Sequence, residues 1–189
     1  MNSKQPKGGV RLMRRLVAAT TLLLSSITAS PVIAQVTPNG FLVRHKVSVD
    51  APPGDVFEIL VERVGLWWDP AHTFSGDARN LSIDARPGGC FCETFPDGGG
   101  VEHLRVVYVK PGALLRMSGA LGPLQPFGLA GSLSWRLIGS EDGTTIELSY
   151  NVGGFMEGGF EQVAPGVDAV LGEQLQRLAR FVETGRPTR

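Results

Sequence analysis

The chain predicts an α+β fold, a curved antiparallel sheet of about seven strands gripping one long C-terminal helix. Three observations carry this expectation. One apolar-alternating strand leads directly into a short amphipathic helix. A run of short strands follows, punctuated by Gly, Pro and Asp turns. The chain then closes on an amphipathic stretch of about twenty residues. Strand, helix, many antiparallel strands and a final helix is an α+β order, because parallel sheets need a helix between successive strands.

Taken in order, residues 1–34 read as a leader. Lys4, Lys7, Arg11, Arg14 and Arg15 form a basic start, and Leu16 to Ile27 is uncharged and apolar but short for a membrane span. Val32-Ile33-Ala34 offers a cleavage position with Gln35 as the first mature residue, the pattern of a bacterial secretory signal peptide. The Arg14-Arg15 pair leaves twin-arginine export open beside the general route. The expected location is periplasmic or secreted, with no stable membrane span after cleavage. Residues 35–189 then form a single domain.

The full chain has 18 basic and 18 acidic residues. Residues 1–34 hold five of the basic ones and none of the acidic, so the mature chain is left with a net charge of −5. An acidic domain lacks the basic footprint that nucleic acid demands, and no nucleic-acid partner is expected.

Within the domain, Phe41, Val43, His45, Val47 and Val49 alternate with polar residues and predict the first strand. Pro52-Pro53-Gly54 breaks it, and Pro53 suits the first turn of a helix. Val56, Phe57, Ile59, Leu60 and Val64 continue at helical spacing, with Asp55 early, where an acid complements the helix dipole. This helix is expected to run to Trp67-Trp68, where Pro70 stops it. Adjacent helical side chains diverge by about 100°, so two neighbouring tryptophans rarely share one core. With His72 and Phe74 following, the segment reads as the rim of a cavity, one tryptophan packed inward and the other lining the edge.

Strands are expected at 81–84, 90–95, 101–109, 114–118, 133–137 and 145–152. Pro87-Gly88-Gly89, Pro96 to Gly100, Pro111-Gly112 and Asp142-Gly143 turn the chain between them. The Gly119–Gly131 loop has room for one helical turn. The last helix, ending near Val182, carries the apolar stripe Val167, Val170, Leu171, Leu175, Leu178, Ala179 and Val182. Gln174 and Arg177 are expected mostly on its other face.

The order of elements, with Gly88-Gly89-x-Phe91-x-Glu93, Pro96-Asp97-Gly98-Gly99 and the Val106–Leu115 strand-turn-strand, resembles the START-like (SRPBCC) superfamily. Residues 40–184 carry the resemblance. The nearest branch is that of polyketide cyclase/dehydratases and relatives of the heat-shock-protein ATPase activator. The resemblance implies a helix-grip fold with an apolar cavity between sheet and helix, and a small hydrophobic ligand. It leaves catalysis undecided. An export signal argues against the cytosolic heat-shock role.

Candidate site residues follow from alternation. If Val101, His103, Arg105, Val107 and Val109 share the inner face, His103 and Arg105 enter the cavity. Phe91, Glu93 and Phe95 form the inner face of the preceding strand, so Glu93 and Arg105 would pair across the hairpin. A Glu93–His103–Arg105 group has three readings. It could be a self-satisfied buried pair, a device that orients a ligand's carboxylate or hydroxyl, or a proton-transfer group of the cyclase, aromatase or dehydratase kind. Trp67, Trp68, His72, Phe74, Phe91, Trp135 and Phe155 complete the candidate ligand contacts. Gly153–Gly159, which bears Phe155, is a candidate gate. His45 is expected to be a satisfied core histidine. An interaction module linked to stress is a third function class, and it predicts an exposed apolar patch.

Cys90 and Cys92 lie about 6.6 Å apart on an extended strand, at the upper limit for a disulfide. Two reduced, half-buried thiols are the expectation, with pairing the alternative in an oxidising compartment. No cofactor or metal is called for: the chain has no phosphate loop, no His-Glu-x-x-His and no nucleophile elbow.

Overall fold

In the computed structural model, residues 1–2 and 35–188 are described. The leader expected over residues 1–34 lies, past its first two residues, outside them. Eight strands form one antiparallel, curved and unclosed sheet. Strand β1 (Gln35–Thr37) pairs with β2 (Gly40–Val49), and helices α1 (Pro53–Glu62) and α2 (Val64–Trp67) carry the chain to the opposite edge. There β3 (Leu81–Ile83), β4 (Cys90–Thr94), β5 (Gly100–Lys110), β6 (Leu114–Ser118), β7 (Ala130–Ser140) and β8 (Gly143–Gly153) run back until β8 pairs with β2. Helix α3 (Ala164–Thr184) packs against β2 and both short helices. It ends on Gly185, whose left-handed φ of 70° suits only a residue without a β-carbon.

The sequence predicts seven strands, and the eighth is β1. Its three residues are too few to show a period, and it exists by pairing with β2 across a two-residue turn. The helix expected over 53–68 breaks at Arg63, whose φ of −119° and ψ of 18° leave the helical region. The break starts α2 in a new direction and sends Trp67 inward. The 119–131 loop does contain a short helix, a 3-10 turn over Gly122–Phe127.

Strand β5 departs most from simple alternation. Phe91 pairs with Leu104, while Cys92 pairs with Glu102, so His103 is an extra residue in β5. A bulge reverses the parity of everything after it. His103, Leu104 and Val106 therefore point inward, and Arg105 and Val107 point outward. A second bulge at Val107, between the Val106–Met117 and Tyr108–Arg116 pairs, restores the original parity for Val109. The expected inner face of Val101, His103, Arg105, Val107 and Val109 is thus corrected at Arg105 and Val107.

The cysteine expectation is also corrected. Cys90 and Cys92 form a disulfide. Their α-carbons are 5.4 Å apart, inside bonding range, where a flat strand would hold them at about 6.6 Å.

Tyr150 on β8 fastens the 119–131 loop to the sheet. Its phenol donates to the Gly119 carbonyl at 2.9 Å and accepts from the Leu121 amide at 2.8 Å. The ring passes so close to Gly131 that a β-carbon there would meet it at 2.8 Å. Burial pushes the phenol's pKa up to about 12, against a smaller opposing pull from the Leu121 amide. Tyr150→Phe leaves a half-buried amide and carbonyl without their partner and should cost about 1 kcal/mol in urea unfolding.

Candidate functional site

A cavity of about 500 Å³ lies between the first half of α3 and the sheet. Its walls come from four places. Trp68, His72 and Phe74 lie on the segment after α2, and Phe91 and His103 on β4 and β5. Leu121 and Pro123 belong to the 119–131 loop, and Val163, Val167, Val170 and Leu171 to α3 and the turn before it. The lining is mostly apolar, with Thr73, His72, His103 and Gln162 as its polar side chains.

Both tryptophans are buried in one core and pack on each other with ring centroids 5.5 Å apart, which corrects the expectation of one core and one edge tryptophan. Trp68, on extended backbone just past α2, also forms cavity wall. Trp67 is core, stacked edge-on against Trp135 at 5.9 Å, and its indole donates to the Ile59 carbonyl. Trp68 turns to the cavity, packs on Phe91 at 5.2 Å and donates to the His72 carbonyl at 3.0 Å. Helix α3 clamps the peptide groups of this segment. Arg177 Nε donates to the Trp67 carbonyl at 2.9 Å and Nη2 to the Trp68 carbonyl at 3.3 Å. Nη1 lies 3.5 Å from the Asp69 carboxylate, and Gln174 Oε1 accepts the Asp69 amide at 2.9 Å. Gln174 and Arg177, expected on the exposed face, are both buried because this broken backbone needs partners.

Glu93 and His103 form a buried pair beneath the mouth. Their closest atoms, Oε2 and Nε2, are 2.9 Å apart. The same carboxylate accepts the backbone amides of Phe74 and Ser75, and so ties the rim segment to β4. Two rings pack on His103, Phe91 at 5.0 Å and Phe74, stacked, at 5.8 Å. Phe74 is 57% exposed, so it covers His103 from the solvent side.

Burial pushes the Glu93 pKa upward. The Ser75 side chain, the Phe74 and Ser75 amides and His103 outweigh that push and hold it below the ordinary value. Burial also lowers His103, more strongly than Glu93 raises it. At neutral pH the pair is therefore a carboxylate beside a neutral imidazole. A carboxylate only accepts hydrogen bonds, so Nε2 carries the proton and Nδ1 is a bare acceptor. That Nδ1 is buried and has no hydrogen-bond partner.

Of the residues singled out by sequence, Trp68, His72, Phe74, Phe91 and His103 line the cavity, and Glu93 sits behind His103. Trp67 and Trp135 lie in the core. Two residues lie elsewhere. Arg105, 55% exposed at its side chain, bonds Glu102 at 2.6 Å and the Gly88 carbonyl, so the expected Glu93–Arg105 pair does not form. Phe155 is 83% exposed and outside the lining. His45 is half-buried with its Nε2 2.8 Å from Asp168 of α3.

Sequence reasoning missed the Leu121–Pro123 wall and Gln162, which sit in loops without periodicity. Val167, Val170 and Leu171 were visible only as part of the helix stripe. Among the described residues, no cluster of three or more His, Cys, Asp or Glu could hold a metal, and no helix is long and apolar enough to cross a membrane.

No protein-family model and no curated protein matches the chain. Solved structures do. A conserved protein of unknown function from Enterococcus faecalis aligns with a TM-score of 0.58 at 14% identity, over 80% of this chain and 77% of that one. A protein from Staphylococcus saprophyticus gives 0.54 at 17% identity, over 78% and 96%. The solution structure of the Aha1 dimer from Colwellia psychrerythraea gives 0.53 at 16% identity, over 76% and 97%. At such identities the likeness is one of fold: an antiparallel sheet with a C-terminal helix.

Proposed function

We propose that this protein is a START-like carrier or sensor that holds a small hydrophobic or amphipathic molecule between its sheet and α3. The observation that carries the reading is the cavity of about 500 Å³, apolar and faced by a few polar groups. That size and chemistry match sites for small organic ligands, which lie between about 300 and 1,000 Å³. Incubation of the purified protein with lipid and aromatic extracts, then washing and mass spectrometry, should recover a bound compound. Val170 lines the cavity from α3, and Val170→Trp should reduce recovery at least tenfold by filling the space. Equal recovery from both proteins would place the ligand elsewhere.

An enzyme reading rests on one observation, the carboxylate-oriented neutral imidazole of His103 on the cavity wall. Such a group is a competent general base. With Arg105 outside, any proton transfer falls to Glu93 and His103 alone. Turnover of a cyclisable or dehydratable substrate that survives His103→Gln would remove this reading.

We propose further that the protein is exported. The basic and apolar stretches before Gln35 support this, as does the Cys90–Cys92 disulfide, which belongs to oxidising compartments. N-terminal sequencing of the protein from the envelope or medium should begin at Gln35. A mature chain that begins at Met1 in the cytoplasm would contradict it.

A further inference from the structure

The ligand's polar group can be assigned from the cavity wall. Among the described residues that line the cavity there is no lysine or arginine, and Arg105 points away from it. The one deeply buried polar side chain in the lining is His103. Its Nε2–H is committed to Glu93 at 2.9 Å, and its Nδ1 lone pair has no partner. A buried acceptor without a donor is an exception that asks for an occupant. The neighbouring rings of Phe91 and Phe74 offer it no hydrogen bond. Behind it stands the Glu93 carboxylate, which repels a second anion entering the site.

On the reading that the cavity takes a small apolar molecule, we infer that the ligand is uncharged and carries a hydroxyl or N–H that donates to His103 Nδ1. A phenol or alcohol on an apolar body fits. A fatty acid or other carboxylate does not, because it would bring a second anion toward Glu93 with no cation in the lining to receive it. This chooses between the two polar groups, carboxylate and hydroxyl, that such a site could orient. Nδ1 is buried in this structure, so a neighbour must give way when the donor enters, and the half-exposed Phe74 stacked on the ring is the residue placed to do so.

Three probes of similar shape test this by calorimetry on the whole chain at neutral pH: naphthalene, 2-naphthol and 2-naphthoate. 2-Naphthol should bind about tenfold more tightly than naphthalene, the worth of one well-made hydrogen bond to a buried acceptor. 2-Naphthoate should bind most weakly. In the His103→Leu variant the preference for the naphthol should vanish while naphthalene still binds. If that variant does not fold, the wild-type protein with 15N-labelled histidine gives the same answer. The His103 Nδ1 resonance should move on adding 2-naphthol and stay in place with naphthalene. Naphthalene and 2-naphthol binding equally, or 2-naphthoate binding best, overturns the inference and leaves the cavity reading standing. Failure of all three to bind overturns the cavity reading and the inference with it.

Discussion

Arg177→Ala should destabilise the protein by about 3 kcal/mol. The guanidinium is buried and serves three groups at once: the Trp67 and Trp68 carbonyls and the Asp69 carboxylate. Its removal strands two carbonyls in the interior, at about 1–3 kcal/mol each, and leaves Asp69 without its cation. Arg177→Lys should recover only part of the loss, since one ammonium cannot reproduce the planar fork. The variant should also weaken ligand binding, because Trp68 is a wall of the cavity and its backbone is what Arg177 holds. Urea unfolding gives the first effect and a binding titration the second. A loss below about 1 kcal/mol would show that the 67–69 segment is held by its packing alone.

Glu93→Gln should cost about as much, near 3 kcal/mol at neutral pH. The carboxylate accepts the Phe74 and Ser75 amides and the His103 Nε2–H. An amide side chain offers one oxygen for these donors and turns an NH₂ toward the rest. Each bond to a charged group is worth about 1.5–3 kcal/mol. The substitution should also alter the response to acid. Glu93 is held below its ordinary value of 4.5, so the unfolded chain binds its proton first as the pH falls. Its contribution is therefore complete above about 4.5 and is lost as the pH drops through its lowered folded value. His103 has the same sign, because it too is lowered in the fold from 6.5. Protons favour the unfolded state from about pH 6.5 downward, so stability declines in two stages on acidification. Glu93→Gln should shrink the lower stage, to which Asp77, held down to about 2 by its hydrogen bonds with Arg79, also contributes, and keep the upper. Unfolding curves between pH 7 and pH 3 for both proteins separate the two stages, and parallel curves would contradict the assignment to Glu93.

The fold was legible because its long elements have strong periods and clear punctuation. Strand β2, the β7–β8 hairpin and α3 follow from alternation, Asp142-Gly143 and the helix stripe. What escaped was decided by contacts distant in sequence. The bulge at His103 is set by how β5 must bend against β4, and no residue near it announces the change of parity. That one extra residue separates His103 from Arg105, which simple alternation puts on the same face. Gln174 and Arg177 look like surface residues on a helical wheel. They are buried because the end of α2 leaves the Trp67 and Trp68 carbonyls and the Asp69 amide without helical partners, and α3 supplies them. The tryptophan pair pointed to a cavity wall, but the expected split between core and rim does not hold, because both side chains are buried in one core. Only the structure shows that Trp68 is the one that also faces the cavity.

Whether the cavity binds a ligand can be decided by one titration. N-phenyl-1-naphthylamine, a neutral fluorophore that brightens in apolar surroundings, is added to the wild-type chain and to Val170→Trp. Saturable binding at one site per wild-type chain is expected, with at least tenfold weaker binding to the variant. Unsaturable binding, or equal affinity in the two proteins, would contradict a binding site in the cavity.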